Sequence, residues 1–281
     1  MSKLDLSFRV ACLQTSTGPN LTKNKEQSTR LIRKAAVAEA DLVILPEIVN
    51  VMDLSRKELA TKTYFEDDDP TLETFCSLAK ELRLYILVGS LAVKHSKLDS
   101  KGFPKLANRS FFIDSKGFIT ARYDKIHMFD VEINETESYK ESKAYEPGDA
   151  LVLADTPWGK LGMSICYDLR FPQLYRGLTY KGAKFLSVPS AFARSTGKAH
   201  WHALIRARAI ENGCYVFAAA QCGDNGGGWL TYGHSLIVDP WGKVLVDGGT
   251  EIGFVIANVM PTLVDEVRRK IPSITNDRSF Y

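Results

Sequence analysis

From Phe8 to Ile271 the chain alternates short apolar runs with amphipathic stretches, and no Pro/Gly/Ser-rich linker, internal repeat or low-complexity tract interrupts the pattern. Apolar runs of this length bounded by turn residues predict buried strands, and longer segments with apolar residues at helical spacing predict helices that cover them. FRVACLQ (8–14), DLVILPE (41–47), LYILVGSLAV (84–93), AKFLSVPS (183–190), CYVFAAAQ (214–221) and GFVIANV (253–259) are the strand candidates. Segments 20–40, 71–83, 198–212 and 262–271, with one starting near Pro172, are the helices. Hairpins are predicted over 109–124, turning at Ser115–Gly117, over 150–166, turning at Pro157–Gly159, and over 233–247, turning on a second Pro-Trp-Gly. Mixed hairpins and β-α crossovers predict a single α/β domain over residues 1–281, with helices outside a mixed sheet or a pair of sheets.

The bulk numbers agree with that picture and exclude several classes. Hydrophobic residues make up 45% of 281, ample for a large core. The net charge of +3 comes from 36 basic and 33 acidic residues without a basic run, which argues against a nucleic-acid surface. Five widely spaced cysteines without a C-x-x-C pair predict neither a disulfide framework nor a zinc ribbon. The N-terminus is broken by Lys3, Asp5 and Arg9, and no run approaches the roughly 20 apolar residues of a membrane span. The expected setting is the cytoplasm.

Chemistry is expected where buried strands end in polar residues, because sites in α/β sheets collect beyond the carboxyl ends of strands. LVILPE ends in Glu47, LGMSIC in Cys166 and FLSVPS in Ser190, while Lys125 follows the strand of a hairpin. A sharp turn at Cys166, before Pro172 opens a helix, would expose the sulfur and aim the next backbone N–H groups at its target. A thiol needs a base or a thiolate-favouring environment. Among five histidines, His200 and His202 are two residues apart on different helix faces, a poor arrangement for a shared metal. His95 reads as exposed, and His127 and His234 read more simply as satisfied structural residues. Glu47 is the better partner: ending so apolar a run, its carboxyl should be desolvated and its pKa raised. Lys125 could place a fixed positive charge beside an oxyanion or simply snorkel to the surface.

LVILPE, YDKIHMFD and SICYDLRFPQLYR together resemble the three motif blocks of the nitrilase, or carbon–nitrogen hydrolase, superfamily. PSAF, RARAIEN and GHSLIVDPWG extend the resemblance over nearly the whole chain. Within the superfamily, KIHMFDVEI, TGKAHW and AAAQCG are similar to the amidase branch that contains deaminated glutathione amidase and ω-amidase. The resemblance implies a single-domain α-β-β-α sandwich that pairs with a second copy. It also implies Glu47 as general base and acid, Lys125 as oxyanion stabiliser, Cys166 as nucleophile, and Glu141 as a second active-site glutamate.

An amide bearing a carboxylate would then be hydrolysed to acid and ammonia through a thioester, the backbone N–H of Tyr167 sharing the oxyanion, with neither metal nor organic cofactor. Arg170, Ser190, Phe192 and Arg194 are the expected substrate-binding residues, and Lys198 is a further nearby cation. ω-Amidase action on α-ketoglutaramate, carbamoyl-amine hydrolysis and nitrile hydrolysis are the enzymatic alternatives, and a catalytically silent binding protein the alternative of another class. The chain departs from the family pattern at His202, where an acid is common, and at Gln173, where glutamate is common. The Gly-rich stretch 223–229 lacks the lysine of a phosphate loop and reads as a loop near the site.

Overall fold

The first strand shows how the layers are assembled. Along β1 (Phe8–Thr15), Val10 and Cys12 enter one hydrophobic core while Ala11 and Leu13 enter another, as period-two side chains of a strand buried on both faces must. A computed structural model describes residues 7–53, 55–100, 102–134 and 137–278; Met1–Leu6, part of the N-terminal reading above, lie outside the described residues.

After β1 come α1 (Leu21–Val37), β2 (Leu42–Ile44), α2 (Arg56–Lys62), α3 (Pro70–Leu82) and the strands β3 (Tyr85–Leu98), β4 (Pro104–Ile113) and β5 (Ile119–Asp124). A small ribbon, β6 (Asp130–Asn134) and β7 (Glu137–Lys140), leads to β8 (Leu153–Thr156), β9 (Gly159–Gly162), α4 (Pro172–Tyr180) and β10 (Ala183–Ser187). Next are α5 (Arg194–Asn212), β11 (Tyr215–Ala218), β12 (Ala220–Asp224), β13 (Leu230–Tyr232), β14 (Leu236–Val238) and β15 (Val244–Asp247). β16 (Gly253–Val259) and α6 (Pro261–Lys270) close the fold.

One sheet runs β13-β12-β1-β2-β3-β4-β5, with β16 antiparallel to β1; the other runs β15-β14-β11-β10-β9-β8. Between the sheets lies the larger core, in which Phe8 and Trp158 stack at 4.2 Å. Ile32, Phe75 and Leu78 of α1 and α3 cover the outer face of the first sheet. Leu174, Leu178, Trp201 and Ile205 of α4 and α5 cover that of the second. The expected α-β-β-α sandwich is the architecture observed.

Two segments differ from the sequence reading. The run 214–221 is two strands in different sheets, because the chain crosses between layers at Ala219. Only methyl side chains stand at Ala218, Ala219 and Ala220, all buried, so the backbone can pass where a larger side chain would collide. The polar stretch 132–149, to which the sequence reading above assigns no strand or helix, holds most of the β6–β7 ribbon and a 3₁₀ turn at Glu141–Lys143. The ribbon pairs apart from both sheets, so it lacks the apolar signal that reveals a core strand.

Candidate active site

The carboxyl ends of β2 and β9, in different sheets, meet beside the end of β5. β2 stops at Ile44, and the chain continues through Leu45, whose N–H donates to Leu87 O at 2.9 Å, to Glu47. There it turns: Ile48 has φ +50°, and its N–H donates to Ser90 Oγ at 2.8 Å. The buried Lys125 Nζ stands 2.9 Å from Glu47 Oε1 and 2.8 Å from Glu141 Oε2. Asn108 Nδ2 donates to both carboxylates, at 2.9 Å to Glu47 and 3.1 Å to Glu141. The Ala191 N–H donates to Glu47 Oε2 at 2.8 Å, and the Phe129 N–H to Glu141 Oε2 at 2.7 Å. Cys166 lines the same cavity as Glu47 and Lys125 and its thiol feels the charge of both, which places the three expected groups in one cluster.

Cys166 opens the 3₁₀ turn Cys166–Arg170 with φ +47°, left-handed backbone that costs a non-glycine residue about 1–3 kcal/mol. Its N–H donates to Pro189 O at 2.9 Å. Asp168, fully buried, holds the turn: Oδ2 accepts from Ile165 N at 2.9 Å and from Tyr123 Oη at 2.7 Å. Its Oδ1 accepts from His127 N at 3.1 Å and lies 2.7 Å from His127 Nδ1. Tyr123 and His127 flank Lys125, so one carboxylate ties the cysteine turn to the lysine segment. The His127 ring stacks on Phe171 at 3.5 Å and serves this scaffold, as its structural reading expects.

Charge in this cluster is finely opposed. Burial pushes the Glu47 carboxyl up, but the Lys125 ammonium, with hydrogen bonds from Lys125, Cys166 and Asn108, outweighs it and leaves the pKa lowered. The sequence expectation of a raised Glu47 pKa is thus corrected: desolvation is present, but the apolar run does not reveal the cation that overrides it. Burial would lower Lys125, yet Glu141 and Glu47 hold it well above its ordinary value. Burial and the Glu47 charge push the Cys166 thiol well up, with Lys125 opposing. The resting set is therefore carboxylate, ammonium and neutral thiol, so the thiol must lose its proton as it attacks rather than beforehand.

A pH profile follows with a definite sign. A lowered Glu47 pKa keeps the base ionised below the ordinary glutamate value of 4.5, and the thiol stays protonated above its ordinary 9.0. The rate at limiting substrate is expected to form a plateau between those values, falling on the acid side only as pH drops through the lowered carboxyl pKa. An acid limb centred above 4.5 in the folded enzyme contradicts this charge assignment.

Over the cluster opens a cavity of about 380 Å³, lined by Glu47, Lys125, Glu141, Cys166 and Tyr167 and walled by Phe129, Phe192 and Trp229. Of the residues expected to bind substrate, Phe192 alone lines it, and three placements are corrected. Ser190 is buried with its Oγ on Val188 O at 3.1 Å, because the end of this run leaves its own sheet and bridges Ala220 of β12. Arg170 lies with its guanidinium 5.3 Å over the Phe192 ring and 3.3 Å from His200 Nδ1, behind the cavity wall. Arg194 and Lys198, on the first turns of α5, line a second cleft instead. Among cavity residues the sequence reading passed over are Asn108, which bridges the glutamates, and Trp229, in the Gly-rich stretch expected to lie near the site. Gln221 Nε2, which anchors the Glu47 carbonyl at 2.9 Å, was missed as well.

An α-β-β-α sandwich carrying carboxylate, ammonium and thiol at its sheet ends defines a class of hydrolase, and the chain belongs to it: it is a member of the carbon–nitrogen hydrolase family, whose sequence pattern matches residues 9–269. It is 38% identical over 273 residues to the deaminated glutathione amidase of Yersinia enterocolitica, covering 96% of this chain and 92% of that protein. Among solved structures, the Caenorhabditis elegans NitFhit protein superposes with TM-score 0.90 at 35% identity, over 99% of this chain and 66% of that one. Saccharomyces cerevisiae Nit3, described as a member of branch 10 of the nitrilase superfamily, gives 0.85 at 29% identity, over 100% and 99%.

Proposed function

We propose that the chain is an amidase that hydrolyses a small carboxylate-bearing amide, deaminated glutathione foremost, to a carboxylic acid and the released amine, which is a peptide for deaminated glutathione and ammonia for a primary amide. The observation that carries this reading is the contact of one buried ammonium with two carboxylates beside a thiol on a strained turn, all at the floor of one cavity. Likeness to a deaminated glutathione amidase over most of both chains supports the substrate.

In this reading Glu47 takes the Cys166 proton as sulfur adds to the amide carbon. The oxyanion is met by the Lys125 ammonium and the Tyr167 N–H, which together favour the tetrahedral state over the planar amide. Glu47 returns its proton to the nitrogen, the C–N bond breaks and the amine leaves, as ammonia where the amide is primary. Water, deprotonated by the same carboxylate, then attacks the thioester; the C–S bond breaks and the thiol recovers its proton. Glu141 holds Lys125 from the opposite side. Lys140 lines the cavity and is exposed at its edge, and the Trp229 indole N–H finds no acceptor among the described residues; both are donors suited to a substrate carboxylate or carbonyl.

Consumption of deaminated glutathione, α-ketoglutaramate, glutamine, a carbamoyl amine and a simple nitrile, followed by chromatography of each substrate with its released amine or ammonia, tests the substrate. Highest kcat/KM for deaminated glutathione supports the assignment. Highest kcat/KM for α-ketoglutaramate makes the chain an ω-amidase, and silence on all five removes the amidase reading. We also propose a homodimer, checked by light scattering of the purified protein. A cytoplasmic setting is proposed from its five free cysteines.

A further inference from the structure

Away from the cavity, three elements bring two imidazoles and a carboxylate together. His202 stands on α5, His234 between β13 and β14, and Asp247 at the end of β15. His202 Nε2 is 3.0 Å from Asp247 Oδ2, and His234 Nδ1 is 2.9 Å from Asp247 Oδ1. The three ligand atoms all lie within 4.8 Å of one another. The sequence reading set His202 against His200 and found no shared site; the fold pairs it instead with a histidine 32 positions later.

We propose that His202, His234 and Asp247 form a zinc site. Two imidazoles and one carboxylate, with a fourth position left to solvent, are a donor set that Zn²⁺ takes at about 2.0–2.2 Å per bond. Tetrahedral bonds of that length set donors about 3.3–3.5 Å apart, so the present hydrogen-bond separations need open by only a few tenths of an ångström. On binding, each ring moves its proton to the other nitrogen and turns a lone pair to the metal, and the carboxylate gives up two hydrogen bonds for one coordinate bond.

The surroundings hold the ligands in place beforehand. His234 has φ +55°, and its N–H donates to Gly249 O at 2.6 Å. Its carbonyl accepts from the indole of Trp201, at 2.8 Å. Trp201 is fully buried and immediately precedes His202, so one hydrogen bond fixes α5 against the loop that carries the second imidazole. Asp247 Oδ1 also accepts from Gly249 N at 2.9 Å, the kind of outer contact that orients a metal-bound carboxylate. His234 borders the second cleft, about 680 Å³, through which an ion can enter, and none of the three residues lines the catalytic cavity.

The test is calorimetric titration of the full-length protein with ZnCl₂ after chelator treatment and dialysis, in a Cys166→Ala background so that the catalytic thiol takes no metal. The expected result is one Zn²⁺ per chain, with affinity at least about tenfold weaker in His202→Ala and in Asp247→Asn. Co²⁺ in place of Zn²⁺ should give a visible d–d absorption that both variants lose. His202 lies on a half-exposed helix position where alanine favours the fold, and Asp247→Asn keeps the side-chain shape, so at least one variant reports on metal rather than folding. Absence of stoichiometric binding, or binding by either variant as tight as in the Cys166→Ala parent, overturns the proposal.

Discussion

Cys166→Ala is expected to lower the rate of deaminated glutathione hydrolysis by at least about 10⁴-fold while the protein stays folded, since no other group in the cluster can carry the acyl chain. Sulfur is the attacking atom, and alanine leaves Glu47, Lys125 and Glu141 in their hydrogen bonds with one another. The substitution removes a single atom at a position whose left-handed backbone is equally strained for both residues, so stability should move by no more than about 1 kcal/mol. Cys214→Ala is the matching control. That thiol is buried beside Arg268 and Thr179, away from the cavity, and its removal should leave the rate unchanged. Chromatographic assays of deaminated glutathione hydrolysis with urea denaturation of each variant make the comparison. Retention of more than a small fraction of the rate by Cys166→Ala removes the nucleophile from the mechanism.

Lys125→Met is expected to be the most destabilising change in the site. The ammonium is buried and bridges Glu47 and Glu141, and methionine of similar length would leave two carboxylates facing each other without a counter-charge. Breaking a buried pair from one side costs about 3–5 kcal/mol. Activity should fall by about 10²–10³-fold in addition, through loss of a donor aimed at the oxyanion.

The pH dependence of this variant separates charge from packing. Without Lys125, burial dominates at Glu47 and its folded pKa rises above the unfolded value. A raised carboxyl pKa contributes stability at low pH that disappears as pH climbs through it, the reverse of wild type, where the lowered pKa contributes stability lost on acidification. The deficit relative to wild type should therefore shrink between pH 7 and pH 5. A deficit independent of pH would mean that methionine packs badly and that charge balance is not what Lys125 supplies.

How legible this was varied with the range of the interactions. The strand and helix order could be read because burial on each layer leaves a local signature, down to the two Pro-Trp-Gly turns. Glu47 and Cys166 stood out because each ends an apolar run, and the structure sets both at the same cluster. Glu141 carried no local signal and came from the resemblance alone. Its position depends on Phe129 N, Asn108 and Lys125, partners 12 to 33 residues away. Asp168 is adjacent to the cysteine turn yet looks like any loop acid, because what makes it matter is Tyr123 and His127, some 41 to 45 residues earlier. The direction of the Glu47 pKa was misjudged for the same reason: burial is written into the local run, whereas the cation that outweighs it arrives from another strand. Arg170 and Arg194 were expected at the substrate because they are near in sequence, but a helix start and a 3₁₀ turn aim them elsewhere.

The central claim is a covalent acyl-enzyme on Cys166, and mass spectrometry of the wild-type protein, acid-quenched during turnover of deaminated glutathione and digested, tests it most directly. The account predicts that the peptide carrying Cys166 gains the mass of the acyl group, and that the adduct disappears on treatment with hydroxylamine, as a thioester does. Turnover with Cys166 unmodified at every quench time, or an adduct on another cysteine, would contradict it.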